Sequence, residues 1–211
     1  MITHALTIIV NELTRHLAVY GPSALPPVEL GNIAEGFRTT NDGSGVSREV
    51  LDLSVVNIKE EKTLKNQPNF VRDMATNTAR YENPPVILNF QVLLVATHVN
   101  YSGALLMLSR AIRFFQSTPL FTETTVAPAS ITHNAPLNML DRLVGFRLAL
   151  DLYSPTMEEV NHLWGTLGGK QYPFVLYMMR ALDLRFHEVQ AEQALILDVV
   201  RNFKHKSPAA P

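Results

Sequence analysis

Pro84-Pro85-Val86-Ile87-Leu88-Asn89-Phe90-Gln91-Val92-Leu93-Leu94-Val95-Ala96-Thr97 is the stretch that decides the fold. Side chains alternate across a strand, so Val86, Leu88, Phe90, Val92 and Leu94 share one face, and Ile87, Leu93 and Val95 the other. A strand apolar on both faces sits inside a sheet covered on both sides, at least over part of its length. The two prolines suit its opening, where a missing N–H costs little. The flanking sequence must therefore supply more strands and the layers that cover them.

Helices supply the covers. Residues 2–20 carry Ile2, Leu6, Ile9, Leu13 and Leu17 at three- and four-residue steps, with Asn11, Glu12 and Arg15 on other faces. Gly21-Pro22 stops that helix. Residues 101–116 predict a second helix, with Leu105, Leu108, Ile112 and Phe115 inward and Arg110 and Arg113 outward. Ser154-Pro155 predicts the start of a third, with Glu158-Glu159 at its positive end and Gly165 to Gly169 at its stop. Strands are predicted over residues 28–34, 49–58, 143–152 and 175–186; residues 194–203 read as a further strand or a short helix. Residues 39–45, 63–83 and 117–138 read as irregular connections, and 63–83 is long enough to suggest a function. The order describes an α+β fold, a largely antiparallel or mixed β-sheet flanked by α-helices. Residues 1–203 are expected to form a single domain, with 204–211 a flexible Pro/Ala-rich tail.

Bulk composition narrows the function. Of 211 residues, 46% are hydrophobic and 18% charged, enough to bury a sizeable core. The formal charge is −1, from 18 basic and 19 acidic residues, which argues against nucleic acid as a partner. Little net repulsion keeps copies apart. Cysteine is absent, which removes disulfides, thiolate nucleophiles and sulfur-based zinc sites and fits a reducing compartment. No apolar run approaches the ~20 residues of a membrane-spanning helix, and the first residues lack a secretory pattern, so cytoplasmic synthesis without membrane insertion is expected.

Motifs for catalysis do not assemble. Gly165-Thr166-Leu167-Gly168-Gly169-Lys170-Gln171 has Trp164 where a phosphate loop needs its first glycine, and Gln171 where it needs Ser or Thr. It also follows a helix, so a helix C-cap and turn explain it better. Asn41 to Gly45 lacks the spaced carboxylates of a calcium loop. The seven histidines never fall into a two-His helical spacing with a carboxylate. Glu60-Glu61 and Glu158-Glu159 are sequence neighbours that do not converge on one point. Trp164 lies among Val160, Leu163 and Leu167 and reads as helix-to-sheet packing. No catalytic residue, cofactor or metal is expected.

Four segments in order carry a resemblance. They are Leu53-Ser54-Val55-Val56-Asn57-Ile58-Lys59-Glu60-Glu61-Lys62-Thr63-Leu64-Lys65-Asn66; Tyr81-Glu82-Asn83-Pro84-Pro85-Val86-Ile87-Leu88-Asn89-Phe90; residues 101–116 with Phe114-Phe115-Gln116; and Asn161-His162-Leu163-Trp164-Gly165-Thr166-Leu167-Gly168-Gly169-Lys170-Gln171-Tyr172-Pro173. The series resembles the N-terminal domain of the cap proteins of extracellular contractile injection systems, the antifeeding-prophage type. It runs from the first helix to about Arg180. The resemblance implies a phage tail-terminator-like fold and a homo-hexameric ring at the end of the particle away from the baseplate. There the ring would stop growth of inner tube and sheath and hold the sheath. Assembly in the cytoplasm, within a tail-like particle that can be released, follows from it.

The charged run after the second predicted strand, and the long connection behind it, are the expected contacts with tube, sheath or neighbouring cap. The residues are Lys59, Glu60, Glu61, Lys62, Lys65, Asn66, Arg72 and Tyr81. An exposed strand edge, such as one in residues 194–203, is a further expected docking point for sheath by strand addition. The alternatives are a small ligand-binding or enzymatic α+β domain, which needs converging buried polar groups, and an assembly adaptor or chaperone.

Overall fold

A computed structural model describes residues 1–21, 27–38, 45–63, 70–73, 78–81, 86–184 and 191–194. The chain forms two compact units, one of residues 1–65 with 86–184, the other of residues 66–85 with 185–211.

The larger unit is built on a six-stranded sheet. Its strands are β1 (Val28–Leu30), β2 (Leu51–Glu60), β5 (Val86–Ala96), β6 (Leu120–Thr122), β7 (Arg147–Tyr153) and β8 (Phe174–Leu184), in the order β1-β2-β5-β8-β7-β6. Only β1 runs parallel to its neighbour; every other pair is antiparallel. The decisive stretch is thus an interior strand, flanked by the two longest partners. Its two apolar faces pack into different clusters: Phe90, Val92 and Leu94 on one side, Leu93 and Val95 on the other. Burying Phe90 completely contributes roughly 2–3 kcal/mol.

Helices α1 (Ile2–Leu17) and α2 (Tyr101–Ser117), with the short α3 (Pro128–Thr132), cover the first face. The α1 stripe is as periodicity predicts, joined by Ala5 and Ile8. Glu12, however, is buried instead of lying on an outer face. Its Oε1 accepts the Ala127 N–H at 2.9 Å and its Oε2 the Arg15 guanidinium at 2.6 Å. Burial pushes this carboxyl up, but the bonds from Ser130, Arg15 and Ala127 outweigh that and hold it low. Asn11 beside it donates to the Ser130 and His133 carbonyls, so the polar side of α1 binds α3. The α2 stripe also differs from expectation. Ala104, Leu108, Ala111, Phe114 and Phe115 are buried, whereas Leu105 and Ile112 are exposed.

Helix α4 (Met157–Thr166) covers part of the second face, where Val160 and Trp164 pack with Leu93, Val95 and Leu176. Its cap is Thr156, two residues after the expected Ser154. The Thr156 hydroxyl accepts the Glu159 N–H, and Glu159 accepts the Thr156 N–H, a reciprocal capping box. At the other end the Leu167 N–H reaches the Leu163 carbonyl and the Gly169 N–H the Trp164 carbonyl at 2.7 Å. Gly168 at φ +98° makes this reversal possible. The Gly165–Lys170 segment is therefore a helix terminus, as read from the sequence.

Residues 117–138, expected to be irregular, contain β6 and α3. The second unit corrects another expectation. Within 63–83, β3 (Phe70–Asp73) and β4 (Thr78–Tyr81) pair antiparallel, and β9 (Ala191–Ala194) joins β4 to give the order β3-β4-β9. Residues 39–44, 195–203 and the 204–211 tail lie outside the described residues.

Candidate docking surface

The second face of the sheet is divided. The half under α4 is apolar; the other half is a polar band that crosses four strands. Register builds it. On β2, Asn57 lies opposite Gln91 and Lys59 opposite Asn89, after a bulge between Val55 and Asn57 restores a polar residue to this face. On β5, Asn89 and Gln91 share the face of Leu93 and Val95, because side chains alternate. On β8 and β7, Arg180 and Asp151 meet diagonally, since Asp151 pairs with Met178.

Direct bonds knit the band. Asn57 Nδ2 donates to Gln91 Oε1 at 2.9 Å, Asn89 Nδ2 donates to Glu61 Oε2 at 2.8 Å, and Arg180 Nε donates to Asp151 Oδ2 at 2.8 Å. The Glu61 N–H extends the ladder to the Ile87 carbonyl at 2.8 Å, which fixes the charged run beyond the strand. The Glu61 carboxylate also accepts the Thr63 hydroxyl and N–H. The Thr63 hydroxyl and Asn89 hold that carboxyl below its usual range, and the Arg180 charge adds to the effect. At the border with α4, the Thr156 N–H and the Tyr153 hydroxyl lower Glu159, with Lys59 a smaller contributor. Lys59, Glu60 and Lys62 are exposed.

Of the eight residues expected to bind partners, Lys59, Glu60, Glu61 and Lys62 fall together at the end of β2. Lys65 and Asn66 lie outside the described residues. Arg72 is placed in β3 opposite Ala79, and half-buried Tyr81 in β4 between Phe70 and Ala191; both belong to the second unit. Asp151, Arg180 and Asn89 join the band without having been singled out from sequence. Their only sequence signal was the alternation of Asp151 with Leu150 and Leu152, and the cross-strand register was needed to bring them together.

Among the described residues, no group of three or more His, Asp or Glu side chains is placed to hold a metal ion. No helix among them is long and apolar enough to cross a membrane. A cleft of about 380 Å³ is lined by Tyr101, Leu105 and Leu108 and by Gln171 to Phe174, with no carboxylate, imidazole or amine side chain among them.

Two solved structures share this architecture. One is the sheath/tube terminator of an extracellular contractile injection system, PVC, in its extended state, determined by cryo-EM. The TM-score is 0.59 at 10% identity, covering 96% of this chain and 64% of that one. The other is the cryo-EM structure of the anti-feeding prophage cap, a tube-terminating cap, with TM-score 0.55, 12% identity, and coverage of 92% and 60%. This chain therefore spans less than two thirds of the length of either. No curated protein matches it at the level of sequence. The expected fold, a helix-flanked mixed sheet of the tail-terminator kind, is the one observed. The family model for the Pvc16 N-terminal domain matches residues 4–198, and the chain belongs to that family.

Proposed function

We propose that this chain is a structural cap, which seats as a ring on the distal end of a contractile injection particle, terminates tube and sheath growth, and retains the sheath. The observation that carries this reading is the family match over residues 4–198, joined to a fold shared with two terminators over more than nine tenths of the chain. Inner tube, sheath and further copies of the chain, six to a ring, are the proposed partners. The work is done by surfaces, with no catalytic step, and assembly takes place in the cytoplasm before the particle is released.

The polar band supports a docking role. A rigid sheet face with its hydrogen bonds already made, and with Lys59 and Lys62 exposed at one end, can meet a charged partner without reordering its backbone. Lys59, Glu60, Glu61, Lys62, Lys65, Asn66, Arg72 and Tyr81 are the proposed contacts to tube, sheath or neighbouring cap. A second contact is proposed through the 194–203 segment, which begins at the last residue of β9; among the described residues β9 is an edge of its sheet, and an edge can accept a strand from sheath. Reversing the charges at Lys59, Lys62 and Lys65 tests the first contact: capped ends should become rare. Particles that remain intact and normally capped would remove that assignment. Deleting residues 194–211 tests the second, which fails if the sheath is still retained.

A further inference from the structure

Two apolar features of the larger unit lie uncovered, and they differ in shape. The first is a knob between α3 and β7. Leu137 is 97% exposed, Met139 70%, Leu140 79% and Val144 92%. The loop beneath them is nonetheless fixed. Arg142 Nε donates to the Pro136 carbonyl at 2.7 Å, Asn138 accepts the Leu140 N–H at 3.0 Å, and the Gly145 N–H donates to Glu123 at 2.8 Å. Leu143 is buried, and its N–H is held by His4 at 2.9 Å. A loop anchored this well, yet apolar at its tip, is shaped to enter something.

The second feature is the cleft between α2 and the segment leading into β8, walled by Tyr101, Leu105, Tyr172 and Phe174. Tyr101 is 66% exposed, and the uncovered stripe continues along α2 to Ile112. Periodicity alone would have buried Leu105 and Ile112; they are instead 43% and 39% exposed.

Knob and cleft lie at opposite ends of one sheet. The knob leads directly into the start of β7 at Arg147, and the cleft into the start of β8 at Phe174. Pairing of Ala149 with Arg180 and of Tyr153 with Leu176 makes those two starts opposite ends. Charge matches as well. Asp141 is exposed on the knob and Lys170 is exposed beside the cleft, and neither forms an ion pair with another described residue.

We infer that the knob of one copy seats in the cleft of the next, with Leu140 and Met139 against Tyr101 and Leu105 and with Asp141 facing Lys170. A second copy is the occupant because both halves of the complementary pair are on this chain, and any other partner on the knob would leave the cleft open. The contact is head-to-tail, so each copy uses both features and the series can close into a ring. The inference rests on the reading that the chain assembles with itself, and it specifies the surface through which it does so.

The absence of native cysteine makes the test clean. Leu140→Cys and Leu105→Cys are placed in separate full-length chains, mixed, and treated with a short bis-maleimide. The mixture should yield cross-linked dimers, each variant alone should not, and a chain with both should yield a ladder. In parallel, Asp141→Lys and Lys170→Asp should each weaken self-association by about tenfold or more in sedimentation, and the double exchange should restore it. Background cross-linking with self-association of the unmodified chain intact would overturn this contact and leave the cap reading standing. An unmodified chain that stays monomeric, in solution and on tube ends, would overturn both.

Discussion

His4 holds Leu143 across 139 residues of sequence: the Leu143 N–H donates to His4 Nδ1 at 2.9 Å. Because Nδ1 accepts, the ring proton is on Nε2, which donates to the Ile131 carbonyl at 2.9 Å. One buried ring on the first turn of α1 thus ties down α3 and the base of the exposed knob. His4→Ala leaves a buried N–H without its acceptor and a carbonyl without its donor, a loss of about 2–4 kcal/mol. Urea unfolding measures it, and amide exchange at Leu143 should quicken. A loss under about 0.5 kcal/mol would mean that water replaces the ring at no cost.

Asp52 gives a pH dependence of unusual sign. It is fully buried in β2, its Oδ1 has no partner among the described residues, and only the Ser54 hydroxyl, at 2.5 Å, serves Oδ2. Burial pushes its carboxyl up to about 6 from an ordinary 3.8; Ser54 opposes this and Glu29 adds to it. A folded value above the unfolded one means the folded state binds the proton more tightly. The contribution is complete below the unfolded value and is lost as pH rises through about 6, a change of at most about 3 kcal/mol. Asp52→Asn should therefore gain on the parent chain between about pH 4 and pH 6.5, then hold a constant difference. Equal slopes for the two proteins in urea titrations across that window would contradict this.

The same carboxylate explains why residue 31 is glycine. A Cβ there would stand 2.5 Å from Asp52 Oδ1 and 3.0 Å from Val46 Cγ2. Gly31→Ala should cost about 1–3 kcal/mol by overpacking. The double variant with Asp52→Ala should recover part of it, because the obstructing oxygens are gone. An additive double variant in thermal unfolding would place the strain elsewhere.

Tyr177 carries a buried hydroxyl with no partner among the described residues, against Phe115 at 4.8 Å between ring centroids. Burial pushes its phenol up to about 12. Tyr177→Phe removes a polar group that earns no hydrogen bond, so stability should stay level or rise by about 1 kcal/mol. A loss above 1 kcal/mol in denaturant unfolding would reveal a bond to water at that oxygen.

Helix α4 is fixed at both ends by local chemistry. Thr156→Ala removes the capping box and should cost about 1 kcal/mol. Gly168→Ala forces a side chain onto φ +98° and should cost a similar amount. Measured by thermal unfolding, neither should alter far-UV helicity by more than the last turn.

Much of this fold was legible because single patterns were strong. The double-faced run in 86–97 reads directly as an interior strand, and the glycines after Trp164 read better as the close of a helix than as a phosphate loop. What escaped needed partners distant in sequence. Glu12 reads as a surface residue until Ala127, 115 residues on, donates to it. On α2, Leu105 and Ile112 fit an inward stripe as well as Ala104 and Ala111 do; the small residues won because a close approach of helix to sheet favours them. The pairing of β3 with β4 was hidden because the polar, turn-rich composition of 63–83 shows no apolar alternation. For the candidate site, the charged run at Lys59 to Lys62 was visible at once. The band it belongs to was not, since two bulges set which residues of β2, β5 and β8 face the same way.

The most direct test of the cap reading is negative-stain imaging of particles assembled with and without this chain. With it, tubes should have uniform length, a closed distal end and an extended sheath seated beneath it. Without it, ends should be bare, lengths scattered and sheaths lost or contracted. Particles identical in length, end shape and sheath state in both preparations would contradict the reading.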